Sequence, residues 1–264
     1  MRLFDAHCHL QDGRLLPGIE AVVGRAHRAG VSAMACCGTA QDDWDDVKRV
    51  AARFPEIVPC FGLHPWYMER RSAEWRTVLR ECLRDPRAAV GEIGIDHAVK
   101  DVDRDEQRQV FLDQMRLAAE LDRPANVHCR RAWGLLIAIL RELGGFRPGL
   151  IVHSYSGAAD LFPELSELGA HFSFSGAVTH DRNVRGRKAR QAAPLDRLLI
   201  ETDAPDLMPA IPGADAADPP SEAVNEPANL IHVLRCAADL RRLPPERVAE
   251  ITWENGCRLY RREP

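Results

Sequence analysis

The chain has 264 residues, 45% hydrophobic and 28% charged, with a mean hydropathy of -0.28, which excludes a disordered tail, a collagen-like repeat and a disulfide-stapled mini-protein. Lys and Arg (35) against Asp and Glu (39) leave a net charge of -4, so any grip on a polyanion must come from a local patch. The first residues, Met1-Arg2-Leu3-Phe4-Asp5-Ala6-His7, show no basic segment followed by an apolar stretch, no later run has membrane-spanning length, and the eight cysteines include no Cys-x-x-Cys pair; we expect a cytoplasmic, reducing setting.

In chain order, apolar runs at Leu3 to His9, Ser32 to Gly38, Ile57 to Leu63, Ala88 to Ile95, Ala125 to Cys129, Leu150 to His153, Ala170 to Ser175 and Arg197 to Thr202 read as strands, each followed by a helical pattern. After Asp103, for example, Val110, Phe111, Gln114, Met115, Ala118 and Leu121 recur at helical spacing, and Pro124 closes the segment. Eight such units in about 250 residues predict an α/β fold of the (β/α)8 TIM-barrel type, a single domain over residues 1–264. A doubly wound sheet is disfavoured because no G-x-G-x-x-G turn follows the first strand, where His-x-His stands instead. Pro205 to Pro227, aperiodic and rich in Pro, Ala and Asp, predicts a long loop over the barrel mouth.

Barrel enzymes carry their chemistry at the carboxyl ends of the strands. There the sequence places His7 and His9 at the end of strand one, Glu92 in strand four, His128 at the end of strand five, His153 at the end of strand six and Asp203 after strand eight. Residues two apart on a strand share a face, so His7 and His9 can chelate one ion while Cys8 points away. A carboxylate bridges two cations where a single imidazole nitrogen cannot, so Glu92 can join a His7/His9 ion to a second ion on His128 and His153, about 3.5 to 4 Å away with a shared hydroxide. A lone histidine is more often a hydrogen-bonded structural residue, the reading taken for His27, His171 and His232. Two divalent ions per chain are expected, Zn²⁺, Mn²⁺ or Mg²⁺, and imidazole donors favour the transition ions.

The motifs Phe-Asp-Ala-His-Cys-His-Leu (4–10), Gly-Leu-His-Pro (62–65), Val-Gly-Glu-Ile-Gly-Ile-Asp (90–96), Val-His-Cys-Arg (127–130), Val-His-Ser-Tyr-Ser-Gly (152–157) and Ile-Glu-Thr-Asp-Ala-Pro (200–205) occur in that order. With them the sequence resembles the TatD family of metal-dependent hydrolases, within the amidohydrolase-like TIM barrels. Weaker echoes at Ser175-Gly176, Asn225-Glu226-Pro227 and Asn255 with Arg258-Leu259 extend the resemblance over nearly the whole chain. It implies that His7, His9, Glu92 and Asp203 hold one ion and Glu92, His128 and His153 the other, and that the activity is metal-dependent DNA hydrolysis, often exonucleolytic from the 3′ end. The sequence departs from the family at His97 after Asp96, at Ser154-Tyr155 after the sixth-strand histidine, and at Val224, where the family usually has Arg. Asp215, Asp218 and Glu222 also make the long loop acidic, which disfavours long polyanions.

Further roles follow from residue type and place. Asp203 can pass a proton between nucleophile and leaving oxygen. Glu201, on the same face, can orient a metal-bound water or hydrogen-bond a ligand. His64, between Gly62 and Pro65, suits a residue projected into the mouth to bind phosphate or donate a proton, with a structural turn histidine as the alternative. Arg130, two residues after His128, can fork onto a phosphate oxygen or pair with a carboxylate, whereas the basic run 181–190 reads as a solvated helix face. The expected partners are DNA or RNA ends or a small phosphoester, with no membrane, and the chain as a monomer or weak homo-oligomer. Two rival readings stand: an amidohydrolase-type hydrolase of a small amide, lactone or phosphoester, disfavoured because Glu92 stands where a bridging Lys is common, and a non-catalytic metal-binding barrel.

Overall fold

The computed structural model describes residues 1–100, 102–211 and 224–263. Eight strands, β1 (Leu3–Cys8), β2 (Val31–Cys37), β3 (Ile57–Phe61), β4 (Ala89–Asp96), β5 (Ala125–Arg130), β6 (Leu150–Val152), β7 (Ala170–Phe174) and β8 (Leu198–Ile200), pair in parallel in sequence order. Between them run α1 (Ile19–Arg28), α2 (Trp44–Arg53), α3 (Trp75–Cys82), α4 (Arg104–Glu120), α5 (Trp133–Glu142), α6 (Phe162–Glu167) and α7 (Val184–Ala192), and α8 (Leu230–Arg241) and α9 (Pro245–Leu259) follow β8. This is the expected (β/α)8 arrangement, with one helix more than a simple repeat among the described residues. Among the described residues no helix is long and apolar enough to cross a membrane.

The gap between β8 and β1 is closed by individual bonds rather than a paired ladder. The Asp203 N–H donates to the His7 carbonyl at 3.0 Å and the His9 N–H to the Ala204 carbonyl at 2.7 Å. Asp5 accepts from the Thr202 N–H (2.8 Å) and hydroxyl (2.5 Å), which diverts Thr202 from strand pairing and ends β8 earlier than the sequence suggests. His9 and His153 each lie one residue beyond their strands, while β5 runs on to include Arg130.

Inside the barrel the side chains are small or medium: Ala6, Ala33, Ala35, Cys37, Val58, Cys60, Ala89, Ile151 and Leu199 form one buried cluster with Phe4. Trp253, Cys257 and Tyr260 join it, and the Tyr260 ring stacks on Phe4 at 5.4 Å between centroids. Outside, the other strand faces pack on the helices in a larger apolar cluster. Two glycines set the approach of β4 to β5. A Cβ at Gly94 would lie 2.0 Å from the His128 carbonyl oxygen, and one at Gly91 would lie 2.5 Å from Asn126 Cβ. Only glycine admits this contact, and the contact brings Glu92 toward His128.

α4 begins where Asp103 accepts from the N–H groups of Asp105 (2.9 Å) and Glu106 (3.1 Å). Asp103→Ala is expected to cost about 1 kcal/mol of stability, read as a lower urea midpoint at unchanged slope; an unchanged midpoint would show that the cap contributes nothing. The basic run 181–190 departs from a purely solvated face. Arg190 is fully buried, with its guanidinium 5.4 Å from the Phe174 ring centroid, since a weakly hydrated planar cation can rest against an aromatic face.

Candidate metal centre

The strand ends gather two sets of donor atoms. In the first, His7 Nε2 lies 3.1 Å from His9 Nε2 and 3.4 Å from both Glu92 Oε2 and Asp203 Oδ1, and His9 Nε2 lies 3.5 Å from Glu92 Oε2 and 3.4 Å from Asp203 Oδ1. Four ligands placed 2.0–2.1 Å from a central ion form a tetrahedron with edges of about 3.3–3.4 Å, so these spacings fit a small transition ion.

The tautomers strengthen that fit. His7 Nδ1 meets Asn126 Oδ1 at 2.9 Å, and because the Asn126 amide nitrogen donates to the Ala6 carbonyl and the Tyr260 hydroxyl, its oxygen is the acceptor. His9 Nδ1 meets the Cys37 carbonyl at 2.7 Å. Both rings therefore carry their proton on Nδ1 and turn bare Nε2 lone pairs toward each other. Such an arrangement is repulsive unless a cation or a proton lies between them.

The second set is built on the other oxygen of the same carboxylate. Glu92 Oε1 lies 2.8 Å from His153 Nε2, 3.2 Å from His128 Nδ1 and 3.2 Å from His64 Nε2, and the His128 and His153 atoms are 3.2 Å apart. His128 is oriented from behind by Asp96, whose Oδ2 lies 3.2 Å from its Nε2 and also accepts the Trp66 indole N–H at 2.8 Å. Asp96→Asn is expected to weaken binding at this half about 10- to 100-fold, measured by competition with a chelator. Equal affinity in the variant would show that Asp96 does not orient the ring.

Charge in the cluster is balanced internally. Burial opposes ionisation of Glu92, but the imidazoles of His153, His64, His7 and His128 outweigh it and hold its carboxyl well below the usual range. Asp203 is likewise lowered, burial being overcome by His9, His7 and His153. Burial disfavours the charged form of His9, yet Asp203 and Glu92 push it up to about 9. His128 and His153 are raised for the same reason, against their burial, by Asp96 with Glu92 and by Glu92 with Glu201. His64 goes the other way, down to about 4, because burial dominates. The buried Glu92 and the partly exposed Asp203 thus demand positive charge, which protons or metal ions can supply.

The structure brings His7, His9, Glu92, His128, His153 and Asp203 together and adds His64, which lines the mouth cavity. It is 4% exposed, and its Nδ1 accepts the Trp66 backbone N–H at 3.2 Å, leaving the Nε2 proton directed at Glu92. Glu201 stands behind His153 rather than in the cavity. Its Oε1 accepts the Ser154 N–H at 2.6 Å, its Oε2 accepts the Ser173 hydroxyl, and His153 Nδ1 lies 3.7 Å away. Arg130 is exposed at the edge of the mouth, without an ion pair among the described residues.

His171 is buried against the Leu150 backbone, where burial and then Arg197 and Arg258 hold its pKa down to about 4, and His27 pairs with Glu56 at 2.8 Å. Asn126, Asp96 and Trp66 went unassigned at the sequence level. Their signal was a polar side chain two residues before His128 on the inward face, an acid closing β4, and a tryptophan beside His64. Asp215, Asp218 and Glu222 lie outside the described residues, and Val224 is exposed.

Barrels that carry such donors at the carboxyl ends of their strands are metal-dependent hydrolases, and this chain falls in that class. It belongs to the family described as TatD related DNase, which it matches over residues 4–261. It is 32% identical over 266 residues to the 3'-5' ssDNA/RNA exonuclease TatD of Citrobacter rodentium, covering 98% of this chain and 97% of that protein. An uncharacterized metal-dependent hydrolase of Haemophilus influenzae is 29% identical over 271 residues, 98% of this chain and all (100%) of that one. Among solved structures, the TatD homolog YJJV of Escherichia coli k12 superposes with a TM-score of 0.89 at 28% identity, covering 99% of both chains.

Proposed function

We propose that this protein is a two-metal phosphodiesterase that shortens single-stranded DNA or RNA from the 3′ end. The observation that carries the reading is Glu92, whose Oε2 faces one donor set and whose Oε1 faces the other. In this reading His7, His9, Glu92 and Asp203 hold one divalent ion and Glu92, His128 and His153 a second, with His64 beside it. When bound, such ions supply a nucleophile at neutral pH and stabilise charge on the attacked phosphoryl oxygens. Donors rich in imidazole favour Zn²⁺ or Mn²⁺, with Mg²⁺ at the weaker position.

The chain's own residues divide the remaining work. Asp203, partly exposed and lining both cavities at the mouth, accepts the proton from the attacking oxygen and returns it to the leaving oxygen. Its ionised state suits the acceptor role. Glu201 steadies the loop after β6 through the Ser154 N–H and so positions His153. The eight free cysteines accord with a reducing, cytoplasmic setting.

The test is a 5′-labelled single-stranded oligonucleotide incubated with protein reconstituted in Mn²⁺, Zn²⁺ or Mg²⁺. A ladder shortening from the 3′ end is expected. Protein that holds metal and hydrolyses bis(p-nitrophenyl) phosphate but leaves the oligonucleotide intact would replace this reading with that of a small-phosphoester hydrolase.

A further inference from the structure

The barrel mouth carries two cavities of unlike charge. One, of about 620 Å³, lies over both donor sets, lined by His9 and Asp203 as well as His64, His128 and His153, and its arginines are already neutralised: Arg14 pairs with Asp12 and Asp206, and Arg70 with Asp42. Asp12, Asp43 and Asp206 line it as well. The second, of about 450 Å³, shares His128, His153 and Asp203 with the metal centre and extends toward the start of α7. Tyr155, Phe174 and Val178 form an apolar wall there, and Arg130 and Arg185 line the same cavity. Both arginines are exposed, and neither guanidinium has an ion pair or hydrogen bond among the described residues. Trp66 lines both cavities, 43% exposed, with its ring fixed by the indole N–H bond to Asp96.

From this asymmetry we infer that the second cavity is the seat of the substrate strand, and that Arg130 and Arg185 hold the phosphates flanking the one being cut. The inference rests on the nuclease reading above and adds the side from which the strand enters. A chain of net charge -4 gives a polyanion no general attraction, so binding depends on cations not already spent on carboxylates. In the first cavity a phosphate would have to displace Asp12, Asp206 or Asp42 from their arginines; in the second it meets two open guanidinium forks. The apolar wall beside them suits a nucleobase, since ligand cavities combine such walls with a few placed polar groups. Arg130 follows His128 by two residues, which ties the phosphate grip to the donor set through a single strand. Trp66, between the cavities, offers a ring face on which the neighbouring base stacks.

The experiment compares metal-loaded wild type, Arg130→Ala, Arg185→Ala, the double variant and the Arg→Lys pair on a single-stranded oligonucleotide and on bis(p-nitrophenyl) phosphate, across a salt series. Each Ala substitution is expected to raise the oligonucleotide KM about tenfold, and the double variant to flatten the slope of log KM against log salt by about 0.7 for each phosphate no longer neutralised. The loss on the oligonucleotide should exceed the loss on the small ester at least about tenfold, and the Lys variants should recover part of it because they keep the charge. If wild type degrades the oligonucleotide and the double variant matches its KM and salt slope, the cavity assignment is overturned while the nuclease reading stands. If wild type cleaves only the small ester, both fall together.

Discussion

Glu92→Gln is expected to strip metal from both halves of the centre and to lower phosphodiester hydrolysis by at least about 10²- to 10³-fold, the scale seen when one preorganised electrostatic group is removed. Among the described residues this carboxylate is the single group with an oxygen in each donor set, 3.4 Å from His7 Nε2 on one side and 2.8 Å from His153 Nε2 on the other. Glutamine keeps the shape but offers one acceptor and one N–H₂, so whichever way the amide turns, one set loses an anionic ligand. The fold should survive because the imidazoles facing Glu92 can shed their protons once the carboxylate is gone, leaving no uncompensated buried charge. Metal content per chain, measured after gel filtration beside the circular dichroism spectrum, reads both parts. Wild-type metal content in a folded Glu92→Gln protein would show that the two sets do not share this residue.

Asp203→Asn should behave differently. The expected loss in kcat is about 10²- to 10⁴-fold, the range for removing a positioned proton acceptor, whereas the ion on the His128/His153 side is retained. Asparagine is the informative substitution here because Asp203 has a φ of 55°. Asn and Asp tolerate that left-handed conformation better than Ala, which would add backbone strain to the loss of the carboxylate. A folded variant that keeps wild-type kcat would remove Asp203 from the chemistry. One that loses every ion would instead make it a ligand on which the whole centre depends.

The barrel was legible because its strands are short apolar runs separated by amphipathic helices, and the donors were legible because they are polar residues where apolar strands end. What escaped depends on cross-strand register and on contacts between distant segments. Asn126 orients His7 only because β5 faces β1 across the barrel interior, with 119 residues separating the two in sequence. Asp96 reaches His128 because β4 and β5 pair with Gly94 opposite His128. His64 combines the two roles its place after β3 allows: it lines the mouth cavity, yet it is almost wholly buried, its ring held by the Trp66 N–H and the chain packed close at Gly62, where a Cβ would lie 2.8 Å from the Glu92 carbonyl oxygen. Glu201 shares the inward parity of Asp203, but Ser154 and Ser173 take its oxygens. Parity alone does not show what stands in front of a side chain.

The bond from Tyr260 to the Ala6 carbonyl, at 3.0 Å, and from Asn126 to the Tyr260 hydroxyl, also 3.0 Å, joins the beginning of the chain to its final helical turn. Ala6 and Tyr260 are 254 residues apart, so at about 5–20 residues per second a ribosome adds the second something like 13–50 seconds after the first. Through that interval His7 and His9 exist without Asp203 to face them or Tyr260 to support their strand. The centre therefore cannot assemble from its first strand alone, and the order of synthesis itself delays the appearance of a hydrolase.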